Sequence, residues 1–387
     1  MGKVWRTAPK SFQKVGINLK AAIILTTIYV PKLLEEYANN FRKFNHFDIG
    51  FIIIGDRPTP NDKCKEIADH LKELGFESYY LDVDSQKLWL KDFPKLAKII
   101  PYNSDNRRNI GFLIAAEKNA RMIITIDDDN YVTNEDYYKY HDIVGKTVTL
   151  KTVSSSNGWF NPCTLLETNH GALIYPRGYP FFKRYNEKYT YKSTTGKIVL
   201  NMGLWINDPD VDAVTHLANP TKIIRMKEKI DHIMLAPNTY SPINTQNTAF
   251  HRKILPCYYY ILMGASIKGL KIDRYGDIWS GLFAKKVIDK MDDRITIGKP
   301  LTNHKRNTHN YLKDLKYELW GMILTEKLVE WLEQLQLESN NYFDAYLEIA
   351  QALQKFKENF QEAAIRKYLG KISYAMNIWI ETCQKIL

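Results

Sequence analysis

Residues 121–130 read RMIITIDDDN. A run of apolar and β-branched side chains ends in three consecutive carboxylates, Asp127, Asp128 and Asp129. Carboxylates this close repel one another, and a cation among them lowers the cost. Hard divalent ions such as Mg²⁺ and Mn²⁺ prefer oxygen ligands and keep substrate phosphates in their shell. A buried strand followed by an acidic loop therefore suits a metal–diphosphate site, because ligands of open α/β sheets bind beyond the carboxyl ends of the strands. The alternative is an acidic turn that caps the next helix.

Other residues with chemistry are scattered along the chain. Arg107 and Arg108 open a helical stretch just before the acidic strand and can reach phosphate. Arg177 follows the apolar "GALIY", with Gly178 and Pro180 beside it to set the backbone. Asp277 lies in "DRYGDIW", followed by Trp279. Its carboxylate can face a ligand, cap the helix "IWSGLFAKKVID", or do both. His304, Lys305 and Arg306 stand together in "LTNHKRN".

These residues need elements to hold them. "KAAIILTTIY" (20–29) and "FDIGFIIIGD" (47–56) read as buried strands, closed by Thr26, Thr27 and Asp56. "VPKLLEEYANNFRKF" has helical spacing with Pro31 near its start. "CKEIADHLKELG" (64–75) is amphipathic and ends in a glycine. "ESYYLDV" is a third strand, and "RRNIGFLIAAEKNA" (107–120) is a helix leading into "RMIITID". Alternating strands and helices predict a doubly wound parallel sheet. Beyond residue 150 the texture is rich in turns and aromatics, which suggests mixed strands and long loops over a cleft. After about residue 310 the chain reads as helical to its end, interrupted at "LESNN". The apolar faces of these helices are expected to pack on the main domain or on a second copy of the chain.

The bulk numbers narrow the class. The chain has 387 residues, of which 45% are hydrophobic and 25% charged, the profile of a globular protein. Its four cysteines lie far apart without a C-x-x-C pair, so a zinc site or disulfide framework is not expected. "AAIILTTIYV" is too short to span a bilayer and precedes no small-residue cleavage site, so a cytoplasmic protein without a transmembrane segment is expected. The net charge of +11 favours anionic partners. No RNP, KH or helix-turn-helix pattern accompanies it, so nucleic acid is not among the expected partners.

Six segments in order sharpen this reading: "RNIGFLIAAEKNARMIITIDDDN", "PRGYPFFKR", "GLWINDPDVDA", "NTAFHRKIL", "DRYGDIWSGLFAKKVID" and "GKPLTNHKRNTHNYLKDLKYELWG". Together they resemble the reversibly glycosylated polypeptides, a family that includes the plant UDP-arabinopyranose mutases. The likeness runs from about residue 20 to about 325. It implies a GT-A-like doubly wound mixed sheet flanked by helices over residues 1–325, with a C-terminal helical extension over 326–387.

The resemblance also implies roles. Asp127, Asp129 and His304 would hold Mn²⁺ or Mg²⁺ on the diphosphate of a UDP-sugar, with Asp129 the direct ligand and Asp127 nearer the ribose or the metal's waters. Thr26, Asp56, Arg107, Arg108, Asp127, Trp279 and Lys305 would contact substrate, Trp279 as a stacking wall. Asp277 would face the reacting sugar. Arg177 matches the arginine at which the family becomes glycosylated, although a guanidinium is a poor nucleophile and a clamp on anionic oxygens is chemically easier. The implied activity is a pyranose–furanose mutase or self-glycosylating transferase. The alternatives are transfer to a separate acceptor, or a non-catalytic partner subunit. Two departures leave the sugar open: Asn130 follows the aspartates where the plant motif has cysteine, and the loop after "RGYPFF" is longer and basic.

Overall fold

The computed structural model describes residues 19–307 and 310–387. The first half alternates as expected: β1 (Ala21–Thr27), α1 (Leu33–Lys43), β2 (Ile49–Gly55), α2 (Asn61–Glu73), β3 (Glu77–Leu81), α3 (Val83–Trp89), α4 (Pro94–Ile99), α5 (Arg108–Glu117) and β4 (Met122–Ile126). β3, β2, β1 and β4 lie side by side and parallel. Their side chains alternate between two apolar layers. Ile23, Leu25, Phe51, Ile53 and Ile124 face α1 and α2. Ile24, Ile52, Ile54 and Ile123 face α5. Strands covered on both faces read as unbroken apolar runs, which is why this half is visible in the sequence. α2 starts three residues before the expected helix, and Gly75 follows it at φ +96°, the left-handed position expected after a helix end.

The chain continues through β5 (Asn130–Val132), α6 (Tyr137–His141), β6 (Thr147–Ser155), β7 (Leu166–Thr168), β8 (Tyr189–Asn207), α7 (Ala213–Ala218), β9 (Ile223–Met226), β10 (His232–Leu235), β11 (Asn247–His251), β12 (Ser266–Ile267) and β13 (Leu270–Lys271), which form a separate hairpin, then α8 (Gly276–Lys290) and β14 (Arg294–His304). β11 pairs antiparallel with β4, and β8 with β11, turning the parallel half into a mixed twelve-stranded sheet. The segment expected as a long basic loop is the first part of β8, which forms a ribbon with β6 before turning inward to pair with β14. Thr is dense in both strands of the ribbon, joined by Val in β6 and Tyr in β8, and that strand preference outweighs the charges.

The C-terminal segment forms α9 (Tyr311–Gln334), α10 (Tyr342–Phe356) and α11 (Ala363–Ile386), with a second break after Phe356 that the sequence reading did not anticipate. The boundary expected at residue 325 falls inside α9. The helices do not stand apart. Leu328, Tyr346, Tyr368, Met376 and Trp379 share one apolar core with α5 and α8. Tyr368 Oη donates to the Leu262 carbonyl at 2.9 Å, and Trp379 Nε1 to that of Leu255 at 3.0 Å. These helices thus pack on the main domain, the first of the two places expected for their apolar faces. Among the described residues no helix is long and apolar enough to cross a membrane.

Candidate active site

The carboxyl ends of β1, β2 and β4 open into a cleft of about 390 Å³. β1 contributes Thr26 and Thr27, β2 leads to Asp56, and β4 leads to Asp127–Asp129. The far wall comes from Arg177, Asp210, Asp273, Arg274, Asp277, His304 and Arg306. The acidic turn does not cap the next helix. Asp136 caps α6 instead, accepting from the Lys139 N–H.

Asp129 and His304 meet across the cleft floor, because β14 pairs antiparallel with β5 directly after the acidic turn. His304 Nε2 lies 3.4 Å from Asp129 Oδ2. The other ring nitrogen, Nδ1, donates to the Asp208 carbonyl at 2.7 Å, so Nε2 is the position that carries a proton toward Asp129 in the charged ring and offers its lone pair to a metal in the neutral one. Burial opposes charging on both groups. Their mutual attraction outweighs it, holding Asp129 below the usual carboxylate range and raising His304.

Asp127 is engaged elsewhere. Arg108 Nη2 donates to it at 2.6 Å, and the remaining Arg108 donors go to Thr26, Thr125 and the Thr245 carbonyl. Every N–H of Arg108 is therefore spent on the scaffold, so it positions Asp127 and leaves no donor for phosphate, contrary to expectation. Burial still pushes Asp127 upward, with Asp129 adding repulsion against the pull of Arg108. Asp128 accepts from Thr27 Oγ1 at 2.6 Å, and burial beside its two neighbours pushes it up to about 6.

Asp56 and Arg107 line the cleft at the end of β2 and the start of α5. Asp56 accepts from the N–H groups of Arg57 and Ser104. Arg107 donates from Nε to Gln86 and from Nη1 to the Pro101 carbonyl, while its buried Nη2 has no hydrogen-bond partner among the described residues. Tyr102 lies between Arg57 and Arg107, with their guanidinium carbons 4.1 and 4.5 Å from the ring centre.

Arg177 sits at the opposite end between two carboxylates. Nε and Nη2 donate to Asp210 at 2.9 and 3.1 Å, Nη1 and Nη2 to Asp277 at 3.1 and 3.0 Å, and Nη1 also to the Arg274 carbonyl. All five donors are used, and no free fork remains for a diphosphate. Burial favours loss of the proton, but Asp210 and Asp277 win and hold Arg177 well above its usual range. Burial would likewise lift Asp210, and Arg177 instead holds it down to about 2. Asp277 lies in the first turn of α8, and its carboxylate turns to Arg177, so it is not the cap of that helix. Gly178 follows at φ +85°, where an added Cβ would strike Ile278.

Two expected contacts are absent. Trp279 is fully buried and donates to Thr325 Oγ1 at 2.9 Å, so it is part of the core and no stacking wall. Two residues along the helix, roughly 200° of rotation, carry Asp277 to the cleft and Trp279 away from it. Lys305 is exposed, with Nζ 4.5 Å from the centre of the Tyr131 ring and outside the cleft lining. Asp210, by contrast, escaped the sequence reading. It lies in "NDPDVDA", and only the bridge between Pro176 and Val211 brings it to Arg177.

Among the described residues no group of three His, Cys, Asp or Glu side chains converges to hold a metal alone. A Mg²⁺ or Mn²⁺ that keeps waters and substrate phosphates needs only one or two protein ligands. The Asp129–His304 pair, with its imidazole oriented by Asp208, fits that requirement.

The sequence profile of the family described as "Reversibly glycosylated polypeptide" matches residues 23–387. The chain is 30% identical over 294 residues to "Probable UDP-arabinopyranose mutase 4" of Arabidopsis thaliana, covering 75% of this chain and 74% of the relative. It is 28% identical to "UDP-arabinopyranose mutase 1" of the same plant, over 75% of each chain. Among solved structures it is similar to glucosyl-3-phosphoglycerate synthase from Mycobacterium tuberculosis, at 11% identity and a TM-score of 0.38 over 80% of each chain. The profile runs through the C-terminal helices that the motifs alone left out, and with it the chain belongs to the reversibly glycosylated polypeptide family.

Proposed function

We propose that this chain is a metal-dependent UDP-sugar mutase that interconverts pyranose and furanose rings within the nucleotide sugar. The observation that carries the reading is the Asp129–His304 pair on the floor of a cleft whose two ends differ in chemistry. Relatives named as UDP-arabinopyranose mutases support it.

The nucleoside end would use Asp56 as acceptor and the free Nη2 of Arg107 as donor. Asp129 and His304 would hold Mn²⁺ or Mg²⁺ between the ends. When bound, that ion supplies Lewis-acid stabilisation of charge on the departing diphosphate. At the sugar end, Asp277 would face the anomeric carbon, with Arg177 paired to it from behind. A carboxylate there stabilises positive charge as the glycosidic bond lengthens. Held in place by Asp210 and Asp277, Arg177 acts as their counter-charge. In this arrangement it is not the glycosyl acceptor.

The test is incubation with UDP-arabinopyranose and Mn²⁺, followed by chromatographic separation. A UDP-arabinofuranose peak supports the mutase. Free UDP with a mass increment on the protein would point to self-glycosylation, and an unchanged nucleotide sugar would sink both.

A further inference from the structure

The aspartates on the cleft wall are almost all committed. Asp127 is held by Arg108, Asp128 by Thr27, Asp129 by His304, and Asp210 and Asp277 by Arg177. Asp273 accepts from Lys271 and from the Arg274 N–H. Asp105 is the exception. It lines the cleft, its residue is exposed there, and among the described residues its carboxylate has no hydrogen-bond or ion-pair partner.

Its placement follows from the helix it precedes. Ser104 caps the short turn Asp105–Arg107 that runs into α5. Arg107 turns toward Gln86 and Arg108 toward Asp127, so consecutive residues wall the cleft while Asp105 faces its interior. The groups around it are Arg108, Asp127, Asp273, Asp277 and the phenol of Tyr260. A carboxylate held by donors is a poor proton carrier, because a proton must displace them. An unpartnered one is free to take and return a proton.

We propose that Asp105 is the proton shuttle of ring exchange, the group that moves one proton between the two sugar oxygens competing for the anomeric carbon. This rests on the ring-interconverting reading above. The glycosidic C1–O bond breaks first, its electron pair going to the diphosphate. The 4-hydroxyl oxygen then bonds to C1 and gives its proton to Asp105. The C1–O5 bond breaks with its electron pair going to O5, and Asp105 returns the proton there. The diphosphate oxygen re-forms its bond to C1. One proton has moved from O4 to O5, and Asp105 ends as it began. The cleft walls desolvate its carboxyl and, against the attraction of Arg108, the nearby aspartates help push it up to about 6, close to neutrality as a shuttle requires.

The test compares wild type with Asp105→Ala in the conversion of UDP-arabinopyranose to UDP-arabinofuranose, with UDP affinity as the check on folding. The expected result is unchanged UDP binding, ring exchange slowed about 10²-fold or more, and partial restoration by added formate, which a merely structural residue would not show. An Asp105→Ala enzyme that exchanges at the wild-type rate, or that formate fails to restore, overturns the shuttle and leaves the mutase reading standing. A wild type that makes no furanose isomer overturns that reading and the shuttle with it.

Discussion

His304 Nε2 faces Asp129 Oδ2 at 3.4 Å, with its other nitrogen tied to the Asp208 carbonyl. The imidazole is thus fixed in rotamer and tautomer before any ligand arrives. A pre-oriented histidine is worth 10–100-fold in metal affinity through the group that orients it.

The first prediction concerns that pair. Asp129→Ala and His304→Ala should each weaken Mn²⁺ binding by at least about tenfold in the presence of UDP, titrated calorimetrically. Protons compete with the metal for His304. Because Asp129 raises the His304 pKa above its ordinary value, that competition begins earlier as pH falls. Mn²⁺ affinity should therefore drop as pH is lowered through that raised value. Affinity independent of pH between 5 and 8 would remove His304 from the metal's shell.

Arg177→Lys is the second. A lysine keeps the charge but offers three donors where five are used, leaving oxygens of buried Asp210 and Asp277 without partners. Each unpaired buried group costs about 1–3 kcal/mol, so the melting temperature should fall by several degrees. The pH dependence has a defined sign. Asp210 has a depressed pKa in the folded state, about 2. Its stabilisation is complete above the unfolded carboxylate value of about 4 and is lost as pH falls toward 2. Acid unfolding of Arg177→Lys should begin at a higher pH than in wild type. Identical acid transitions by circular dichroism would show that Arg177 does not hold Asp210 down.

The nucleotide-binding half was legible because physics writes it locally. Strands buried on both faces give β1, β2 and β4 as apolar runs, and the aspartates must follow the last of them. The Asp129–His304 pairing needed the family resemblance, since 175 residues separate the partners. What stayed hidden depends on contacts distant in sequence. Arg177 looked like a clamp until Asp210 and Asp277 filled its donors. Trp279 looked like a ligand wall because it follows a functional aspartate, yet two residues along a helix turn a side chain roughly 200° away. Ile, Tyr and Thr in β8 signalled a strand that the surrounding lysines disguised as loop.

The third prediction concerns the C-terminal helices. A dispensable extension would bury little against the catalytic domain. Here Trp379 is fully buried, packs at a tilt against Tyr259 with 5.4 Å between ring centres, and hydrogen-bonds to the Leu255 carbonyl. Tyr259 is in turn approached by Asn106, which lies between Asp105 and Arg107 on the cleft wall. The packing thus runs from α11 through Tyr259 to the turn that opens α5. Truncation after Gln334 removes α10 and α11 and strips the cover from this core, so the truncated chain should fail to accumulate as a soluble folded protein. Trp379→Ala is the milder test. Its cavity should cost about 3–5 kcal/mol, read as a lower denaturation midpoint at unchanged slope. UDP affinity should stay near wild type below the transition, since Trp379 does not line the cleft. A truncated protein that folds and binds UDP normally would show that residues 335–387 are an appendage after all.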